Sequence, residues 1–138
     1  MTAPLLIDTC AAIYIFGNEP MTDAAVAAMD HAADASILTY VSPITAWEIG
    51  QLISKGRLKS TMSAQRWFQR LIGTWGFRLA DMPPELLMAS WYLPGNLNRD
   101  PADRIIAATA REYGFTVLTR DAELLRYARD GHIAALAC

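Results

Sequence analysis

The feature that most limits what this chain can become is a set of short runs that are apolar at nearly every position. Leu5-Leu6-Ile7 ends at Asp8, and Phe115-Thr116-Val117-Leu118 is followed at once by Thr119-Arg120-Asp121. A strand that alternates apolar and polar residues has one wet face. A strand that does not alternate is covered on both faces, as in a parallel sheet under two layers of helix. Ser36 to Val41, Phe77 to Ala80 and Ile133 to Leu136 read as further strands.

Helical segments separate these runs. Cys10 to Phe16 is stopped by Gly17-Asn18, and Thr22 caps an Ala-rich helix through Ala33. Ser42 is an N-cap with Pro43 at the first helical position, where a missing N–H does no harm. That helix runs through Trp47, Glu48 and Leu52 to Lys55-Gly56. Trp67, Phe68, Leu71 and Ile72 form an apolar helix stripe, and Glu85 to Tyr92 is helical up to Pro94-Gly95. Asp100 caps a helix with Pro101 at its first position and Asp103 at its third, ending at Gly114. A last helix spans about Ala122 to Arg129 and ends near Gly131. Strands alternating with helices predict an α/β fold: an α/β/α sandwich whose short central parallel sheet is covered by helices on both faces, one domain over residues 1–138.

Composition removes several alternatives. Hydrophobic residues make up 53% of the 138 and charged residues 19%, which excludes a disordered chain. Two cysteines, Cys10 and Cys138, exclude a disulfide-rich scaffold and a four-cysteine zinc site. Two distant histidines, His31 and His132, argue against a histidine-based zinc centre. A net charge of −2 gives no global basic field for nucleic acid. Met1-Thr2-Ala3-Pro4 has no basic leader and Asp8 interrupts the apolar run, so a cytoplasmic protein without an export signal or membrane span is expected.

In open parallel sheets, ligands bind beyond the carboxyl ends of the strands, and that makes the acids informative. Asp8 and Asp121 follow strands. Asp100 and Asp103 open the helix before the second of those strands and share a helix face. Glu48 lies in the helix after Val41, between Trp47 and Ile49. Each has a plain alternative: Asp8, Asp100, Asp103 and Asp121 can be caps, and Glu48 can sit on a solvated face. Carboxylates brought together repel and are usually reconciled by a hard cation; Mg²⁺ and Mn²⁺ take oxygen ligands, and an oxygen-only set points to phosphate chemistry.

Four stretches carry a resemblance: Leu5 to Cys10, Ser42 to Ile49, Leu93 to Ala110 and Thr116 to Asp121. Together they resemble PIN-domain proteins, most of all the VapC toxins of type II toxin–antitoxin systems, over nearly the whole chain. Arg99-Asp100-Pro101-Ala102-Asp103-Arg104 is the most specific part. The resemblance implies a PIN-like fold and a Mg²⁺-dependent ribonuclease site of Asp8, Glu48, Asp103 and Asp121, with Mn²⁺ able to substitute. Asp8 and Asp103 would be direct metal ligands, and Glu48 and Asp121 would complete the shell or bind a second ion. Asp100 would be an accessory acid, and Thr9 and Thr119 would orient carboxylates or water. Implied as well are cleavage of tRNA or rRNA to a 3′-hydroxyl and a 5′-phosphate, growth inhibition, a cognate VapB antitoxin, a homodimer and a higher assembly with the antitoxin.

Arg99, Arg104 and Arg120 flank the acids and either hold RNA phosphates or neutralise the cluster. Two positions depart from the family pattern. Asn98 stands where the subgroup often has histidine, and it cannot titrate near neutrality. Cys10 stands where Ser or Asn is more usual, as a small buried residue or a weak polar contact. Trp91 and Tyr92 can stack a base or, by default, serve as core or dimer contacts; Trp47, Trp67 and Trp75 take the same default.

Other classes compete. A haloacid-dehalogenase-type phosphatase needs a second Asp where Cys10 stands. A receiver-like regulatory module needs adjacent acids after its first strand and a lysine that this chain lacks beyond Lys59. A solitary PIN RNA-processing nuclease or a catalytically silent binding module would keep the scaffold.

Overall fold

The computed structural model describes residues 3–138. Met1 and Thr2, which belong to the leader and single-domain readings above, lie outside the described residues. Five strands form one sheet: β1 (Leu5–Ile7), β2 (Tyr40–Val41), β3 (Arg78–Leu79), β4 (Thr116–Thr119) and β5 (Ala134–Ala137). Their spatial order is β3-β2-β1-β4-β5 and every pairing is parallel. Seven helices connect them: α1 (Thr9–Phe16), α2 (Asp23–Asp34), α3 (Pro43–Ser54), α4 (Ala64–Trp75), α5 (Pro84–Ala89), α6 (Pro101–Tyr113) and α7 (Ala122–Arg129).

The apolar runs do what their composition requires. Successive side chains of a strand point to opposite faces, so Leu6 and Val117 enter one core while Ile7 and Leu118 enter the other. The Ile7 side gathers Ile49, Trp67, Leu71 and Phe77 around α1, α3 and α4. The Leu6 side gathers Ile106, Ala110, Leu124 and Tyr127 from α6 and α7. Leu6, Ile7, Val117 and Leu118 are all inaccessible to solvent. Each such side chain contributes about 1.5–3 kcal/mol of apolar burial.

The strands are shorter than the sequence suggests, and several ends move. The segment read as Ser36 to Val41 pairs only at Tyr40 and Val41, because Ser36 takes a left-handed turn (φ 57°) after α2. Phe77 to Ala80 reduces to Arg78–Leu79 on the sheet edge. The fourth and fifth strands each sit one residue later than expected, and α1 begins at Thr9. The helix expected up to Tyr92 ends at Ala89, leaving Trp91 and Tyr92 in a turn. Among the described residues, no helix is long and apolar enough to cross a membrane.

The order 3-2-1-4-5 matters for function. The chain leaves β1 towards β2 and β3 on one side, then returns through α5 and α6 to place β4 on the other side of β1. The connections diverge at β1, and the crevice beyond its carboxyl end is where an open sheet of this kind binds ligands.

Candidate active site

Asp8 stands at that crevice, immediately after β1. It is the N-cap of α1: its Oδ1 accepts the Ala11 N–H at 2.8 Å. Its Oδ2 accepts from the Thr119 hydroxyl at the end of β4. Thr119 Oγ1 in turn accepts the Asp121 N–H at 2.9 Å, and Asp121 caps α7 by accepting the Leu124 N–H at 2.9 Å. One threonine thus ties together the two acids that follow the central strands.

The third acid comes from α6. Asp100 caps that helix and accepts the Asp103 N–H at 3.1 Å. Asn98 links the two: its Oδ1 accepts the Asp100 N–H at 2.9 Å, while its Nδ2 donates to Asp103 Oδ2 at 3.0 Å. Asn98 therefore positions a carboxylate as a fixed donor. The fourth acid, Glu48, sits on α3 and accepts from the Thr9 hydroxyl. Thr9 Oγ1 lies 3.1 Å from Thr45 Oγ1. With the Thr9 proton committed to Glu48, Thr45 is the donor of that pair.

Thr45 is the residue of this network that sequence reasoning did not single out. It is fully buried and stands three residues before Glu48 on the same helix face. That spacing beside an acid in an apolar helix was the available signal.

Electrostatics set these acids apart. Only 5% of the Asp8 surface is exposed. Burial pushes its carboxyl up to about 6, against the bonds from Thr119 and Ala11, with Asp121 and Glu48 adding repulsion. Burial likewise raises Asp103 to about 7, with Asp121, Asp100 and Glu48 adding to the shift and Asn98 opposing it. Glu48 is raised by burial and by Asp100, and Thr9 opposes this. The acids thus sense one another although they come from four parts of the chain. Cys10 is exposed, not buried. Partial desolvation and the four neighbouring acids push its thiol up to about 11.

Basic groups do not neutralise the cluster. The described ion pairs are those of Arg126 with Glu123 and Asp130. Arg104 donates to the carbonyls of Ser90, Leu97 and Asn98. Arg120 donates to those of Cys138 and Pro20 and lies over the Tyr14 ring. Both arginines brace backbone. Arg99 is exposed, with no described partner.

The donor set fits a hard divalent cation in kind: oxygen donors only, an uncompensated negative charge, and carboxyls with no basic side chain paired to them among the described residues. Among the described residues, no three His, Cys, Asp or Glu side chains close into a ready-made coordination group. Mg²⁺ suits such an arrangement, since it keeps several waters and takes one or two carboxylates plus phosphate oxygens.

The aromatics divide between core and surface. Trp67 is buried and stacks on Phe16 with ring centroids 4.3 Å apart. Trp47, Trp91 and Tyr92 are 62%, 55% and 86% exposed, so none belongs to this chain's core. They lie on α3 and on the turn after α5, whose apolar faces are already satisfied by Thr45, Ile49 and Leu86.

Fold and site together define a class: a small, all-parallel α/β protein with carboxylates gathered beyond the ends of its central strands. The chain belongs to the PIN domain family, whose model matches residues 5–130. Among its relatives is ribonuclease VapC22 of Mycobacterium tuberculosis (strain ATCC 25618 / H37Rv), 30% identical over 122 residues, which are 87% of this chain and 88% of the relative. The fold is similar to that in the crystal structure of VapBC2 from Rickettsia felis bound to a DNA fragment from their promoter. There the TM-score is 0.71 at 16% identity, covering 97% of this chain and 98% of the other. It is also similar to PAE2754 from Pyrobaculum aerophilum, with a TM-score of 0.63 at 20% identity over 99% of this chain and 90% of the other.

Proposed function

We propose that this protein is a metal-dependent endoribonuclease of the VapC kind, hydrolysing phosphodiester bonds in tRNA or rRNA. On this reading it acts in the cytoplasm as a homodimer, arresting translation and growth unless a VapB-type antitoxin holds it in a larger assembly. The observation that carries the reading is the gathering of Asp8, Glu48 and Asp103 beyond the β1 end, all raised by burial and none paired with a base. Similarity to ribonuclease VapC22 supports RNA as the substrate. Likeness to the toxin fold of a VapBC assembly supports the antitoxin.

Asp8 and Asp103 would hold Mg²⁺, with Mn²⁺ able to replace it, and Glu48 and Asp121 would complete the shell or hold a second ion. When bound, the ion supplies charge neutralisation at the scissile phosphate and acidifies water. The chain's own groups do the rest. Thr119 fixes Asp8, and Asn98 fixes Asp103. Thr45 and Thr9 hold Glu48 in one rotamer. Glu48, whose proton affinity is raised by burial, takes one proton of the attacking water. The new oxygen–phosphorus bond forms as the bond from phosphorus to the 3′ oxygen breaks, and that oxygen takes a proton from solvent, leaving a 3′-hydroxyl and a 5′-phosphate. Of the three arginines that flank the acids, Arg99 is the one with no side-chain partner among the described residues, and it would meet a phosphate of the substrate.

The test is incubation of purified, antitoxin-free protein with total cellular RNA in Mg²⁺, Mn²⁺ or EDTA, beside Asp8→Ala. Discrete fragments that require metal and vanish in the variant are expected. Intact RNA after treatment with folded protein in every condition would overturn the reading.

A further inference from the structure

Beside the acids, α3 and the start of α6 enclose a cavity of about 550 Å³, within the roughly 300–1,000 Å³ of small-ligand sites. One wall is the indole of Trp47, 62% exposed, and the others include Ile44, Met82 and Pro101. Its polar rim is Glu48, Gln51 and Asp100. Two of the acids described above therefore also line this cavity, and a ligand in it abuts the reacting centre. We propose that it is a nucleobase subsite: the base next to the scissile phosphate lies against the face of Trp47, its edge turned to Asp100 and Gln51.

The walls favour a base over other occupants. Carboxylates at the rim repel a phosphate but accept the amino and imino N–H groups of a base, as acidic side chains do for the amino group of cytosine. Asp100 uses Oδ2 to cap α6, and its Oδ1 has no hydrogen-bond partner among the described residues. Gln51 adds both a donor and an acceptor. A base with adjacent donors on one edge, guanine above all, matches this rim, whereas uracil offers one donor between two acceptors. An indole takes any base by its face, so Trp47 supplies affinity and the rim supplies preference. Trp47 is thereby given work that its exposure otherwise leaves unexplained.

The inference rests on the nuclease reading, and the experiment separates the two. Binding is measured first, by following the indole N–H resonances of the full-length protein on addition of GMP or UMP. The Trp47 signal should shift with GMP, shift less with UMP, and disappear in Trp47→Phe. The loss of one aromatic platform should then raise KM for cleavage in Trp47→Ala by roughly 5- to 100-fold, more than it lowers kcat, with partial recovery in Trp47→Phe. A GMP response at other tryptophans only, or an unchanged KM in Trp47→Ala, overturns the subsite. So does a Trp47→Ala protein whose only change is a smaller assembly by light scattering, because the face would then seat a second copy of the chain. Absence of cleavage by the wild type overturns the nuclease reading and leaves the GMP titration to decide the subsite.

Discussion

At the scale of single residues, the acids serve two masters. Asp8 caps α1 and is held by Thr119, yet burial keeps its carboxyl near 6 when its unfolded value is 3.8. The folded chain therefore binds more protons than the unfolded chain between about pH 4 and 6, and the associated stability is lost as pH rises through that window. The neutral-pH cost of the Asp8 charge is on the order of 3 kcal/mol. Asp8→Asn should thus raise the melting temperature at pH 7.5 in EDTA, as read by circular dichroism, while abolishing metal-dependent cleavage. The amide can still accept from Ala11 N–H and donate to Thr119. Asp103→Asn should likewise remove cleavage without unfolding the chain, and equal activity in that variant would refute its role. Asp8 and Asp121 stand out in the sequence because they follow apolar strands, Asp103 because it lies in the first turn of a capped helix, and Glu48 because it interrupts an apolar helical stretch. Thr45 does not, because a buried threonine in a helix has many ordinary explanations.

At the scale of elements, the segment from Ser90 to Asn98 is the part that sequence reasoning misjudged. The sequence pattern extends the helix from Glu85 through Ser90 to Tyr92 and stops it at Pro94-Gly95. The segment is instead a strap whose carbonyls are held from outside: Arg104 takes those of Ser90, Leu97 and Asn98, Arg126 takes Asn96, and the Tyr127 hydroxyl takes Pro94. Such bonds join residues far apart in the chain, so no local pattern announces them. Gly95 shows how tightly the strap is seated. Its φ is +69°, and a Cβ there would overlap the His132 ring, standing 2.7 Å from Cδ2. Gly95→Ala should cost about 2–3 kcal/mol in urea unfolding. Adding His132→Ala should recover the steric part and leave the backbone part. Arg104→Ala should cost about 2–3 kcal/mol and also reduce cleavage, since Asn98, which holds Asp103, hangs from the same guanidinium. Arg104→Lys should restore little of either, for one ammonium cannot copy the fork. If Arg104 acted mainly on RNA phosphates, Lys would restore activity and stability would not move.

At the scale of the whole molecule, the fold places charge where no packing force wants it. A parallel sheet with two covered faces follows from the apolar runs, but no feature of the sequence ranks β3-β2-β1-β4-β5 above other parallel orders. Which acids would meet could therefore be read, while the route by which α6 brings Asp103 to β1 could not. Acids raised by burial and mutual repulsion make the folded state a cation trap. Mg²⁺ should raise the melting temperature, and the gain should grow from pH 5.5 to 8 as Asp8 and Asp103 give up their protons. In Asp8→Asn and Asp103→Asn it should shrink, and a pH-independent gain would place the ion elsewhere.

The caps have a last consequence, for inheritance. Asp8, Asp100 and Asp121 each bond the start of a helix through a carboxylate oxygen, and an asparagine caps equally well. One nucleotide change turns an aspartate codon into an asparagine codon. The commonest single-step losses of chemistry should therefore yield well-folded proteins whose surfaces are intact. Such a copy would go on engaging the partners of its active parent and compete with it, so descendants of this chain can fall silent without falling apart.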